Sequence, residues 1–217
     1  MKLTDPVATR LTAKGVVAVL MIDRVDDAVP VAEALLRGGV DAMELTLRTE
    51  AALPALESIT RSVPEMLAGI GTIIKKDQVI QAQDSGAAFG VSPGTNIEVI
   101  EEAQEAGLPF APGIMTPSDI ERALPFGCEI LKFFPAGSSG GIKHLKNIAA
   151  PYAHLRLKYI PLGGVNEENM TDYLKEDIIA AVGGSRIAPK DLIASGQWDQ
   201  ITSNASSAVQ AFENIGT

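Results

Sequence analysis

Lys132 stands in the run Glu129-Ile-Leu-Lys-Phe-Phe-Pro135, with apolar side chains on either side. Taking an ammonium out of water costs several kcal/mol unless it is paired, so a lysine in such a run asks for a chemical reason. A lysine amine shielded from water attacks carbonyl carbon and forms Schiff bases. The competing structural explanation is an amine that snorkels to solvent or pairs with a carboxylate. Glu44, in Met43-Glu-Leu-Thr-Leu47, is a second charge inside an apolar run. A carboxylate is the general acid/base that moves protons through a carbinolamine and an enamine. It could equally pair with Arg48, four residues on, or with Lys132, and pairing with Lys132 is compatible with catalysis. Arg48 offers a planar fork for a substrate carboxylate, or is an ordinary surface charge. Thr46, Thr72 and Ser92 are further polar residues at the ends of apolar runs. Two glycine-doubled segments, Gly163-Gly164 and Gly183-Gly184-Ser185, could bring backbone N–H groups against an anion, although tight turns use glycine as well.

The elements that must position these residues repeat along the chain. Gly15 to Ile22 is an apolar run of strand length. After it, Asp26 to Arg37 places Val29, Val31, Ala32, Leu35 and Leu36 at near-helical spacing before Gly38 and Gly39 stop it. Val40 to Leu47 with a helix over Glu50 to Ile59, Met66 to Ile70 with Asp77 to Gln83, and Ala87 to Val91 with Asn96 to Ala106 repeat the pattern. Further strands are expected at Leu108 to Ala111, Ile130 to Phe133, Leu157 to Ile160 and Ile178 to Val182, and a last amphipathic helix at Trp198 to Ile215. Strands apolar on both faces and alternating with helices imply a parallel sheet covered by helices. About eight such units, at roughly 27 residues each, imply one (β/α)8 TIM barrel domain over residues 1–217. The alternative, an open doubly wound sheet, calls for a G-x-G-x-x-G fingerprint after the first strand, where Ile22-Asp23-Arg24 stands instead. In a barrel the carboxyl ends of the strands carry the active site, and the loops after strands seven and eight often hold phosphate. Those are the places where Lys132, Glu44 and the glycine pairs fall.

Composition narrows the chemistry further. With 18 basic and 27 acidic residues the formal charge is −9, which argues against general binding to nucleic acid. The single Cys128 and the two histidines, His144 and His154, leave little for a metal cluster, and a metal-free reaction on a small molecule is expected. Cys128 reads as a small buried residue and the histidines as surface residues. No apolar run approaches the roughly 20 residues of a spanning helix. The N-terminus shows no charged-then-apolar signal pattern, so a cytoplasmic protein without a membrane partner is expected.

Seven segments in order carry a resemblance to a known family: Glu44-Leu-Thr-Leu-Arg-Thr-Glu50, Gly69-Ile-Gly-Thr72, Ser92-Pro-Gly94, Pro112-Gly-Ile-Met-Thr-Pro117, Leu131-Lys-Phe-Phe-Pro-Ala136, Gly163-Gly-Val165 and Gly183-Gly-Ser185. Over nearly the whole chain they resemble the KDPG/KHG aldolases. The resemblance implies a class I aldolase on a TIM barrel, usually a homotrimer and needing no metal or other cofactor. Such enzymes cleave 2-keto-3-deoxy-6-phosphogluconate (KDPG) to pyruvate and glyceraldehyde 3-phosphate. Some relatives instead cleave 4-hydroxy-2-oxoglutarate (KHG) to pyruvate and glyoxylate. By that resemblance Lys132 is the Schiff-base lysine and Glu44 the general acid/base. Arg48 and Thr72 hold the pyruvate carboxylate, Pro93 and Phe134 line the pocket, and Gly163, Gly164 and Ser185 receive the phosphate. Two positions depart from the family pattern. Leu162 replaces the threonine of a common Pro-Thr-Gly-Gly segment, and Met21 stands where several relatives carry a phosphate-facing arginine, with Arg24 nearby in sequence. A non-catalytic barrel that senses a phosphorylated metabolite is the reading from another class; it leaves Lys132 and Glu44 without a role.

Overall fold

The computed structural model describes residues 1–215, so residues 216 and 217 of the expected domain lie outside the described residues. Nine short strands run along the described chain, with a helix between each successive pair except β5 and β6: β1 Val16–Leu20, β2 Ala42–Thr46, β3 Leu67–Gly71, β4 Gly90–Val91, β5 Phe110–Ala111, β6 Gly113–Ile114, β7 Ile130–Phe133, β8 Lys158–Pro161 and β9 Val182–Gly184. Helix α1 (Pro6–Lys14) precedes β1. Between strands run α2 (Ala28–Arg37), α3 (Ala52–Ser62), α4 (Lys76–Asp84), α5 (Ile97–Glu105), α6 (Pro117–Ala123), α7 (Gly141–Ala149) and α8 (Met170–Leu174), and α9 (Lys190–Ala194) and α10 (Trp198–Glu213) follow β9.

Every strand pairing is parallel. One six-stranded sheet has the order β5-β4-β3-β2-β1-β9, and β6-β7-β8 form a second sheet. The first strand therefore lies between its successor and the last strand, and no reversal of order of the doubly wound kind occurs among the described strands. Two seams tie the sheets together. The Pro112 carbonyl between β5 and β6 accepts from the Lys132 N–H at 2.9 Å, and Tyr159 of β8 donates to the Ile178 carbonyl at 2.8 Å and accepts from the Ala180 N–H at 2.9 Å.

Two apolar layers explain why these residues form these elements. The outer layer packs alternate strand residues such as Met43, Leu45, Leu131 and Phe133 against helix residues such as Val31, Leu35, Leu56 and Ile59. The inner layer gathers the opposite faces of the strands, among them Val17, Ala42, Phe89, Ile130 and Ile160, with Ala8 and Leu11 of α1. The alternation follows from side chains pointing to opposite faces along a strand.

Helix α1 was not foreseen from sequence. Asp5 caps it through the Val7 N–H at 2.9 Å and Pro6 opens it. It lies across the amino ends of the strands, with Arg10 Nε 3.0 Å from Asp41 just before β2 and Nη2 on the Glu65 carbonyl before β3. The short helix α9 was also missed, as was β6, which follows the expected run Leu108 to Ala111 beyond Pro112, a residue with no N–H for a ladder. The last strand lies later than expected, at Val182–Gly184, with Ile179 held only in an isolated bridge.

Candidate active site

The carboxyl ends of the strands open into a cavity of about 580 Å³. Lys132 and Glu44, 88 residues apart in sequence, meet at its base with Nζ 3.0 Å from Oε1. Both are buried, at 5% and 2% exposure. Their positions follow from the strand pleat: Lys132 follows Leu131 and precedes Phe133, both in the outer layer, so its own side chain turns inward. Glu44 does the same between Met43 and Leu45. The Lys132 Nζ also sits 5.4 Å from the centre of the Phe134 ring, within cation–π range. A buried lysine paired once and packed against one aromatic face is held in position with its amine at the wall of an open cavity.

Gly71 makes room for the carboxylate. A Cβ at that position would lie 1.8 Å from Glu44 Oε1, closer than any two such atoms can approach. Beside Glu44 on the same face, Thr46 is buried and donates its hydroxyl to the Leu20 carbonyl at 3.1 Å.

Of the residues singled out from sequence, Lys132, Glu44, Arg48, Phe134, Gly163 and Ser185 all line this cavity. Arg48 is exposed, and its guanidinium has no hydrogen-bond or ion-pair partner among the described residues. Thr72, Pro93 and Gly164 do not line the cavity. Thr72 follows β3 with φ +65, one of two non-glycine residues in the left-handed region among those described. A β-branched residue there is strained by about 1–3 kcal/mol, and such strain clusters at functional sites. Pro93 backs onto Gly113, where a Cβ would lie 2.3 Å from the Pro93 carbonyl carbon. Gly164 packs on Gly137, its carbonyl accepting from Asn169 Nδ2 at 2.9 Å.

Gly163 and Gly164 both adopt left-handed backbone, at φ +83 and +84. Among the described residues the N–H groups of Gly163, Gly164 and Ser185 donate to no protein acceptor. Met21 and Leu162, the two departures from the family pattern, line the same cavity. Arg24, close to Met21 in sequence, is held by Asp27 through Nε–Oδ2 at 3.0 Å and Nη2–Oδ1 at 2.6 Å and does not line it.

Sequence reasoning missed Arg186 and Lys190, which complete the cavity rim beyond β9. Lys190 Nζ lies 2.8 Å from Asp23 Oδ2. Arg186 stands in the loop after β9 and Lys190 opens α9, positions where a charge is usual, so no pattern set them apart.

Other titratable groups stay outside this chemistry. Cys128 is buried, and burial pushes its thiol up while the Met1 ammonium opposes the shift. His154 is exposed, but His144, expected at the surface, is half-buried: its ring stacks on Phe133 with centroids 6.0 Å apart and Nε2 lies 3.0 Å from the Met115 carbonyl oxygen. Among the described residues no group of three or more His, Cys, Asp or Glu is placed to hold a metal ion. No described helix is long and apolar enough to cross a membrane.

The chain is 41% identical over 199 residues to a 2-dehydro-3-deoxy-phosphogluconate aldolase of Dickeya dadantii, covering 92% of each chain. A Legionella pneumophila KDPG aldolase, solved with pyruvate captured as a covalent carbinolamine, superimposes with TM-score 0.89 at 36% identity, over 94% of this chain and 98% of that one. A 2-keto-3-deoxy-6-phosphogluconate aldolase of Zymomonas mobilis, solved with 3-phosphoglycerate, superimposes with TM-score 0.86 at 33% identity, over 94% and 95% of the two chains. Residues 7–204 match the family described as KDPG and KHG aldolase, and the chain belongs to that family.

Proposed function

We propose that this protein cleaves 2-keto-3-deoxy-6-phosphogluconate to pyruvate and glyceraldehyde 3-phosphate through a Schiff base on Lys132. The observation that carries the reading is the buried Lys132–Glu44 pair, 3.0 Å apart, at the base of an open cavity. A buried ion pair is a poor device for stability alone, since an apolar pair of the same volume does as well. A nucleophile touching its general base is what covalent catalysis requires. The covalent pyruvate adduct of the Legionella relative supports the same chemistry.

Glu44 takes a proton from the Lys132 ammonium, and the free amine adds to the C2 carbonyl to give a carbinolamine. Loss of water, with Glu44 returning the proton to the departing hydroxyl, leaves an iminium. Glu44 then takes the C4 hydroxyl proton, directly or through one water. The C3–C4 bond breaks, its electron pair flows into the iminium as an enamine, and the aldehyde departs. Protonation at C3 and hydrolysis release pyruvate and restore the amine. The lysine supplies the electron sink, so no metal or other cofactor is required.

In this reading Arg48, which lines the cavity, holds the keto-acid carboxylate, with Thr72 beside the carboxyl end of β3 as its partner. Phe134 packs on the amine, and Pro93 shapes the loop after β4. The open N–H groups of Gly163, Gly164 and Ser185 suit the phosphate. The finer architecture is proposed as a closed (β/α)8 barrel in one domain over residues 1–217. Two features support it: the seams at Pro112 and Tyr159, with β5 and β6 counted as one interrupted strand, and an outer layer that runs from Val16 to Ala208. A homotrimer in the cytoplasm is proposed from the family resemblance.

Leu162 and Met21, apolar residues in the cavity wall, favour a second reading in which 4-hydroxy-2-oxoglutarate is the preferred substrate. A coupled assay of pyruvate release decides between them. The first reading predicts kcat/KM higher on the phosphorylated substrate, and a higher value on 4-hydroxy-2-oxoglutarate overturns it in favour of the second.

A further inference from the structure

We infer that Arg186 is the residue that reads the anionic far end of the substrate, an inference that rests on the proposed aldolase reading. Five charged side chains line the cavity: Arg48, Lys132, Arg186 and Lys190 against the single carboxylate of Glu44. This concentration of positive charge stands out in a chain of formal charge −9, which would otherwise repel an anion. Two of the four cations are already committed, Lys132 to Glu44 at 3.0 Å and Lys190 to Asp23 at 2.8 Å. The guanidinium groups of Arg48 and Arg186 have no ion-pair or hydrogen-bond partner among the described residues.

The two free guanidinium groups are arranged symmetrically. Arg48 lies two residues past the end of β2 and Arg186 two residues past the end of β9, and β2 and β9 are the two neighbours of β1. Two strand spacings, roughly 9–10 Å, therefore separate the strands that carry them. A 2-keto acid with a second anionic group at its other end spans such a gap. Arg48 serves the carboxylate, and Arg186, next to Ser185 and its open N–H, serves the far group, a phosphate monoester in the proposed substrate. A planar guanidinium binds phosphate through two parallel hydrogen bonds.

The backbone beneath Arg186 is fixed from outside the site. Asn204 of α10 donates through Nδ2 to the Arg186 carbonyl at 3.4 Å and to the Ile187 carbonyl at 3.2 Å. Arg24, the nearest arginine to Met21 in sequence, is taken by Asp27 and absent from the cavity wall. Glu167 and Glu168 line an adjoining cavity together with Arg186, yet neither forms an ion pair with it. Its charge is left for a ligand.

Steady-state kinetics on 2-keto-3-deoxy-6-phosphogluconate and on unphosphorylated 2-keto-3-deoxygluconate test the inference through the ratio of the two kcat/KM values. Arg186→Ala should lower that ratio by about 10- to 100-fold, with the loss in KM for the phosphorylated substrate. Arg186→Lys should recover part of it, and Arg24→Ala should leave the ratio within about twofold of wild type. An unchanged ratio, or equal losses on both substrates as a merely structural role would give, overturns the assignment. Borohydride trapping of pyruvate on Lys132 in the same variants reads the Schiff-base step separately, so failure of the tail assignment is distinguishable from failure of the aldolase reading.

Discussion

Along β2 the side chains alternate between two environments. Met43 and Leu45 enter the layer between strands and helices, beside Leu35, Leu56 and Ile59, where the surroundings are apolar. Ala42, Glu44 and Thr46 turn the other way, Ala42 into the inner apolar layer and the other two into the cavity wall. All five are buried. β7 repeats the arrangement, with Leu131 and Phe133 outside and Ile130 and Lys132 inside. Burial alone thus says nothing about role. The pleat turns one face to the helices and, at its carboxyl end, the other to the cavity, so on the proposed reading neighbouring residues can be altered with separate consequences for stability and chemistry.

The sharpest break between the faces is expected at Lys132. Lys132→Arg keeps the charge beside Glu44 but removes a nucleophilic amine, and kcat/KM should fall about 10⁴-fold or more while the protein stays folded. Retained turnover would place the nucleophile elsewhere. Glu44→Gln should lower kcat by about 10²- to 10⁴-fold. Because it strands a buried ammonium, it should also reduce unfolding free energy by roughly 3–5 kcal/mol, measurable by urea titration. A variant that lost stability at full kcat would make the pair structural.

One residue further along the same strand, Leu45→Ala should cost about 2–5 kcal/mol of stability through the cavity it leaves, with kcat per folded molecule within a fewfold of wild type. A large loss of kcat there would erase the separation of faces. The smallest effect is expected from Tyr159, whose buried hydroxyl has no partner in the outer layer. Tyr159→Phe should be neutral or stabilising by about 1 kcal/mol at neutral pH. Burial pushes the phenol from its ordinary 10.0 up to about 12. Its contribution to stability is therefore intact below pH 10.0 and lost as pH rises toward about 12. The phenylalanine variant should show a shallower loss in alkaline denaturation.

Much of this division is legible in the order of the amino acids. Lys132 and Glu44 stand out because each is a charge in an apolar run, and the alternation of runs implies a parallel sheet layered with helices. What escapes such reading depends on distance across the fold. Gly71 reads as one glycine of a turn, and only the 1.8 Å approach to Glu44 Oε1 gives it a reason. Arg186 and Lys190 look like loop charges until β9 is seen beside β1, two strands from Arg48. α1 escapes because a nine-residue helix with only Ala8 and Leu11 buried carries a weak periodic signal.

The central claim, that Lys132 forms a Schiff base with a keto acid while held by Glu44, is tested most directly by incubating the protein with pyruvate and borohydride and locating the adduct by peptide mass spectrometry. A single reduced pyruvate adduct on Lys132, absent from Lys132→Arg, is the predicted result. An unmodified Lys132 in protein that releases pyruvate from its substrate would contradict it.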